Sequence, residues 1–151
     1  MSRIAIVGGH GKIALKLAKL LTESGHEVSS LIRNPDQTPD IEKVGATAVV
    51  ADVENQTTVQ IAGTIADHDA IVFAAGAGGG NPDRTYAVDR DAAIRTVDAA
   101  QSAGVSRFLL VSYFGAGPDH GVEPDNSFYA YAEAKAEADQ HLKNSDLDWT
   151  I

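Results

Sequence analysis

Short runs of Val, Ile and Leu alternate with longer stretches whose apolar residues recur three and four apart, along the whole chain. "RIAIVGG" (3–9) reads as a buried strand closing on glycines, and "KIALKLAKLLTESG" (12–25) as a helix. That helix would place Ile13, Leu17, Leu20 and Leu21 on one face and stop at Gly25. "HEVSSLIR" (26–33) is a second strand, closed by the turn-rich loop "NPDQTPD". "GATAVVAD" (45–52) is a third, before a helix over 53–67 with Val59, Ile61, Ile65 and Ala66 as its apolar side. "DAIVFAAGAGGG" (69–80) is a fourth strand dissolving into glycine, and 84–104 a long helix ending at Gly104. "SRFLLVSYFG" (106–115) is a fifth strand, 115–126 a loop, and "FYAYAEAKAEADQHL" an alanine-rich helix. "LDWTI" (147–151) begins a sixth strand.

Strands alternating with helices of this length imply right-handed βαβ units. The expected fold is α/β, a doubly wound parallel sheet of Rossmann type in three layers, forming one domain over 1–151. Ligands of such sheets bind beyond the carboxyl ends of the strands, where the strand order reverses. Because the pattern stops within the sixth strand, the expectation is a chain truncated at its C-terminal side.

Composition narrows the partners. With 21 acidic against 12 basic residues, the net charge of -9 disfavours nucleic acid and anionic membrane. The absence of cysteine excludes disulfides, Cys-based zinc sites and thiol nucleophiles. The five histidines show no ligand spacing, so no metal is expected. No leader layout and no apolar run of spanning length occurs, which gives a cytoplasmic expectation. A homodimer through an exposed helix is compatible with such a fold, and no residue specifies which helix.

The candidate chemistry lies at the strand ends. "GGHGKIA" sets Gly8, Gly11 and Ala14 at a G-x-x-G-x-x-A spacing between a strand and a helix. Gly8 permits a tight turn, Gly11 lets backbone approach a pyrophosphate, and Ala14 lets the helix pack closely. His10 lies in this phosphate loop, and Lys12 and Ile13 open the helix whose N–H groups face the phosphates. The second strand ends on Arg33, where an acidic residue would favour a ribose hydroxyl and a basic one a 2′-phosphate. NADP(H) is therefore expected over NAD(H), against the plainer reading of Arg33 as a solvated surface residue. Asp52 faces an adenine amino group or caps the next helix, or both, with Val53 on the ring face. Ala74, Ala75 and Gly76 would form a backbone wall.

Beyond the fifth strand, Ser112 points its hydroxyl to the same crevice. Tyr131 and Lys135, four apart on a helix, share a face. Lys135 would hold the ribose hydroxyls, and its charge would lower the Tyr131 phenol pKa. Tyr131 would then exchange a proton with a carbonyl or alcohol oxygen that Ser112 also binds. The alternative is an ordinary exposed helix.

Through "GGHGKIA", "LIRNP", "ADV", "FAAGAG", "VSYFG", "YAEAKAEAD" and "LDWTI", essentially the whole chain resembles an atypical short-chain dehydrogenase/reductase. The resemblance is to the NAD(P)H-binding, NmrA-like group, with flavin and biliverdin reductase B relatives. It implies an NADP(H)-dependent oxidoreductase of a small carbonyl, quinone or flavin-like acceptor. Other members of the group imply a non-catalytic NADP(H) redox sensor, and a nucleotide-sugar epimerase or dehydratase relative is the third reading. In the group the last segment commonly continues into an Arg-Pro-Gly turn and a substrate-side region.

Overall fold

The computed structural model describes all residues from Met1 to Ile151. Its strands are β1 (Arg3–Val7), β2 (Glu27–Ile32), β3 (Thr47–Val50), β4 (Ala70–Phe73), β5 (Arg107–Leu110) and β6 (Asp148–Thr150). They form one sheet in the order β3-β2-β1-β4-β5-β6, every pair parallel. The order reverses between β1 and β4, so the expected doubly wound Rossmann sheet is what the chain forms. The switch point lies between the carboxyl ends of these two strands.

Alternation along the strands divides the core. Ala5 and Val7 of β1 join Ile71, Phe73, Phe108 and Leu110 on one face, under the helices α3 (Thr58–Ile65), α5 (Ala93–Ala103) and α6 (Tyr129–Lys143). Ile4 and Ile6 join Val28, Ile32 and Val72 on the other, under α1 (Lys12–Glu23) and α2 (Thr38–Lys43). Burying side chains such as Phe73 and Phe108 stabilises the fold by about 2–3 kcal/mol each. No helix is long and apolar enough to cross a membrane.

Several local expectations are corrected. The face that α1 buries carries Ala14 and Ala18, flanked by Leu17 and Leu21, while Ile13 and Leu20 are 58% and 63% exposed. An alanine stripe brings the helix axis close to the sheet and leaves the bulkier neighbouring stripe outside. Val59 is likewise exposed, whereas Ile61 and Ile65 are fully buried. The helix expected from residue 53 starts at Thr58, where Thr57 and Gln60 form a reciprocal capping box. Asp52 is therefore not its cap. Where a loop was expected, a short 3-10 turn (Pro35–Gln37) leads into α2. Pro39 falls in the first turn of α2, where a missing N–H costs nothing.

The long helix after the glycine run is not uniform. It opens as one α turn, α4 (Pro82–Thr85), widens into a π-helical segment (Tyr86–Ala92) and returns to α geometry in α5. The wide turn places Asp89 on the buried side with Val88 and Ala92.

Candidate functional site

A cavity of about 310 Å³ opens at the switch point. Of the residues expected to bind a cofactor, Gly8, His10, Gly11, Arg33, Asp52, Val53, Ala74, Ala75 and Gly76 all line it. The side chains of Lys12 and Ile13 do not, being exposed at the start of α1, and neither does Lys135, which is buried on α6.

The glycine turn is built by contact as well as by conformation. Gly8 has φ +77, and a Cβ on it would lie 2.5 Å from Cα of Ala75, so the tips of β1 and β4 meet there. Its carbonyl accepts from the N–H of Gly11 at 3.1 Å, closing the turn. Gly11 has an ordinary φ of -62, and a Cβ there would meet nothing nearer than the Gly8 carbonyl at 3.4 Å. The protein's own packing thus requires Gly8 but not Gly11. The N–H groups of Lys12, Ile13 and Ala14 find no carbonyl or side-chain partner, and no side chain caps α1. These free donors, beside a residue with no side chain, suit an anion.

Asp52 fits the adenosine end. Its Oδ2 accepts from Asn55 at 2.7 Å, while its Oδ1 is buried without a partner on the cavity wall. An acceptor so placed matches a ligand amino group. His10 is held by Asp40 of α2 at 2.8 Å. Arg33 is not a free surface cation, because its Nη1 donates to Glu54 at 2.7 Å. Glu54 and Arg84 line the cavity with it. Neither stood out in the sequence. Their significance depends on the β3, β2 and β4 loops converging, and one letter in each loop carries no trace of that.

Around α6 lies a second set of groups. Lys135 is 1% exposed, and its ammonium makes no hydrogen bond or ion pair within the chain. Burial lowers its pKa, opposed by the nearby carboxylates of Asp89 and Asp139. Burial raises both of those carboxylates, and Lys135 opposes it. Asp89 also accepts the Ala77 N–H at 3.1 Å, tying the glycine run to the π-helical segment. An aspartate on the apolar side of a long helix pattern was the available hint for Asp89; the π winding left none.

Two expectations about this set are corrected. The Ser112 hydroxyl donates to Oδ2 of Asp139 at 2.8 Å, so its proton is committed within the protein. The Tyr131 phenol is not lowered: burial raises its pKa, helped by Asp89, Tyr113 and Asp139. Tyr131 packs against Tyr113 and Phe128 at ring distances of 5.5 and 5.2 Å. It lines a second cavity of about 330 Å³ between the glycine run and the start of α6, with Gly79, Asn81, Thr85 and Phe128. Lys135 and Tyr131 thus share a helix face as expected, but carboxylates set the electrostatics.

Residues 8–151 match the NAD(P)H-binding family model. The chain is 38% identical over its full length to UPF0659 protein C216.03 of Schizosaccharomyces pombe, matching 69% of that protein. Over 99% of its length it is 35% identical to an uncharacterized sugar epimerase, YhfK, of Bacillus subtilis, again covering 69% of the relative. Among solved structures, a putative NAD-dependent epimerase/dehydratase from Bacillus halodurans superposes with a TM-score of 0.90 at 36% identity, over 100% of this chain and 69% of that one.

Proposed function

The chain belongs to the NAD(P)H-binding family, and from that premise we propose that it is an NADP(H)-dependent oxidoreductase reducing a small carbonyl, quinone or flavin-like acceptor. One observation carries the reading: Tyr131, a phenol that keeps its proton at neutral pH, lines a cavity one helical turn from the buried Lys135.

The residues fit a nicotinamide dinucleotide. Asp52 Oδ1 would take the adenine amino group, the free N–H groups of Lys12 to Ala14 the pyrophosphate, and Arg33 the 2′-phosphate. The unpartnered ammonium of Lys135 would hold a ribose hydroxyl. Bound there, the cofactor supplies hydride. The protein's own part is to hold the acceptor against Tyr131, exclude water with the aromatic group of Tyr113, Phe128 and Tyr131, and deliver a proton from the Tyr131 hydroxyl to the acceptor oxygen. A phenol held in its protonated form is suited to act as an acid, which favours the reductive direction.

The test is a panel of quinones, flavins and aldehydes with NADPH and NADH, run on wild type and Tyr131→Phe. Faster oxidation of NADPH than NADH, with turnover lost in the variant, is the expected result. Intact turnover in Tyr131→Phe would remove the tyrosine from the mechanism. A non-catalytic NADP(H) sensor is favoured by the Ser112–Asp139 bond, which withholds the serine proton from any substrate. NADPH binding without oxidation across the panel would establish that reading. The likeness to the Bacillus subtilis relative favours a nucleotide-sugar epimerase, which would interconvert sugars without net cofactor oxidation.

A further inference from the structure

We propose that Arg84 is a second 2′-phosphate-binding residue of this cleft, so that selectivity for NADP(H) rests on a pair of guanidiniums and not on Arg33 alone. The inference rests on the NADP(H) reading above.

Three charged side chains from three loops meet at one end of the cavity: Arg33 after β2, Glu54 after β3, and Arg84 in α4 beyond β4. Arg33 Nη1 donates to Glu54 Oε2 at 2.7 Å. Arg84 grips the same carboxylate with both arms, Nη2 to Oε2 at 3.2 Å and Nε to Oε1 at 3.3 Å. Glu54 is itself fixed from below, because Arg95 Nη2 donates to the main-chain carbonyls of Val53 and Glu54 at 2.9 Å each. Both guanidiniums are therefore oriented by Glu54, Arg84 through two hydrogen bonds and Arg33 through one.

Charge and burial give the cluster a direction. Within the trio two cations share one anion, while Asp52 on the same cavity wall supplies a second carboxylate. The Glu54 side chain is 16% exposed, against 56% for Arg33 and 39% for Arg84. The carboxylate is thus the most covered of the three, and the guanidiniums are the more accessible groups at this end of the cleft. A guanidinium has five N–H donors, so each arginine keeps donors that Glu54 does not use. A phosphate monoester is nearly dianionic at neutral pH, and one arginine already facing a carboxylate is a weak counterpart for it. A pair is a sufficient one. Glu54 dominates the electrostatics of Arg84 through its hydrogen bonds and its charge, with smaller contributions from Asp52 and Asp89.

The test measures binding to the full chain with four probes: NADPH, NADH, 2′,5′-ADP and 5′-AMP, the last two lacking nicotinamide. Arg84→Ala is expected to weaken NADPH and 2′,5′-ADP about tenfold, the worth of one charge-assisted phosphate contact, and NADH and 5′-AMP less than about twofold. Arg84→Lys, which keeps charge without the fork, should fall between, and guards against a variant that folds poorly. If wild type prefers NADPH but Arg84→Ala weakens all four probes alike, or none, the assignment of Arg84 is overturned and the NADP(H) reading stands. If wild type binds NADH as tightly as NADPH, the NADP(H) reading itself fails, and this one with it.

Discussion

The Ser112 hydroxyl, at the tip of β5, donates a 2.8 Å hydrogen bond to Asp139, which lies one helical turn beyond Lys135 on α6. The bond ties the strand end to the helix that carries the proposed chemistry. It also satisfies one oxygen of a buried carboxylate whose other oxygen, Oδ1, has no partner.

Removing that donor should therefore be felt in stability. Ser112→Ala is expected to lower unfolding free energy by about 1–3 kcal/mol, the cost of stranding a buried polar group. Denaturant titration measures it. A large loss of turnover with unchanged stability would instead mean that Ser112 touches substrate.

The glycines of the first turn should separate fold from function. Gly8→Ala forces a Cβ to 2.5 Å from the Ala75 backbone at a φ of +77, and should destabilise by about 2 kcal/mol or more. Gly11→Ala meets no such clash, and should leave stability within about 0.5 kcal/mol. The added methyl nevertheless occupies the turn proposed to take the pyrophosphate, so NADPH affinity should fall about tenfold. Thermal melts and fluorescence titration of the two variants decide the matter.

Tyr131 should ionise late. Its phenol is raised above 10.0 by burial and by the surrounding carboxylates. In a spectrophotometric titration, Tyr131→Phe should lose a transition lying above that value. Loss of a transition below pH 9 would show Lys135 dominating the site, as the sequence alone suggested.

Lys135 should stabilise most where its neighbours are charged. Asp89 and Asp139 are raised above the ordinary 3.8, so between that value and their folded pKa the native state holds more protons than the unfolded one. Stability from this source is complete at low pH and is lost as pH rises through the folded values. Lys135 offsets the loss. Lys135→Met is thus expected to cost more stability at pH 7 than at pH 4. Equal costs at both pH values would show that the ammonium does not act on the pair.

How much was legible follows the range of the interactions involved. Periodicity along "RIAIVGG" and "DAIVFAAG" announced β1 and β4 because each residue's facing depends only on its neighbours, and the glycine turn announced the cofactor end for the same reason. Pro39 hid α2, since proline in a first helical turn looks the same in sequence as proline in a loop. Ile13 and Leu20 were misplaced because an alanine stripe packs closer than a leucine stripe, and hydrophobicity counts rank them the other way.

By itself, the sequence determined the parallel doubly wound sheet, the family, and the approximate address of the cleft, all of which rest on local pattern. Only the tertiary structure decided that Ser112 donates to Asp139, that Arg33 shares Glu54 with Arg84, and that a buried Lys135 feels the carboxylates of Asp89 and Asp139. Each of these joins residues on separate elements. Their energies depend on distance and burial, which arise only when the strands pair and the helices close over them.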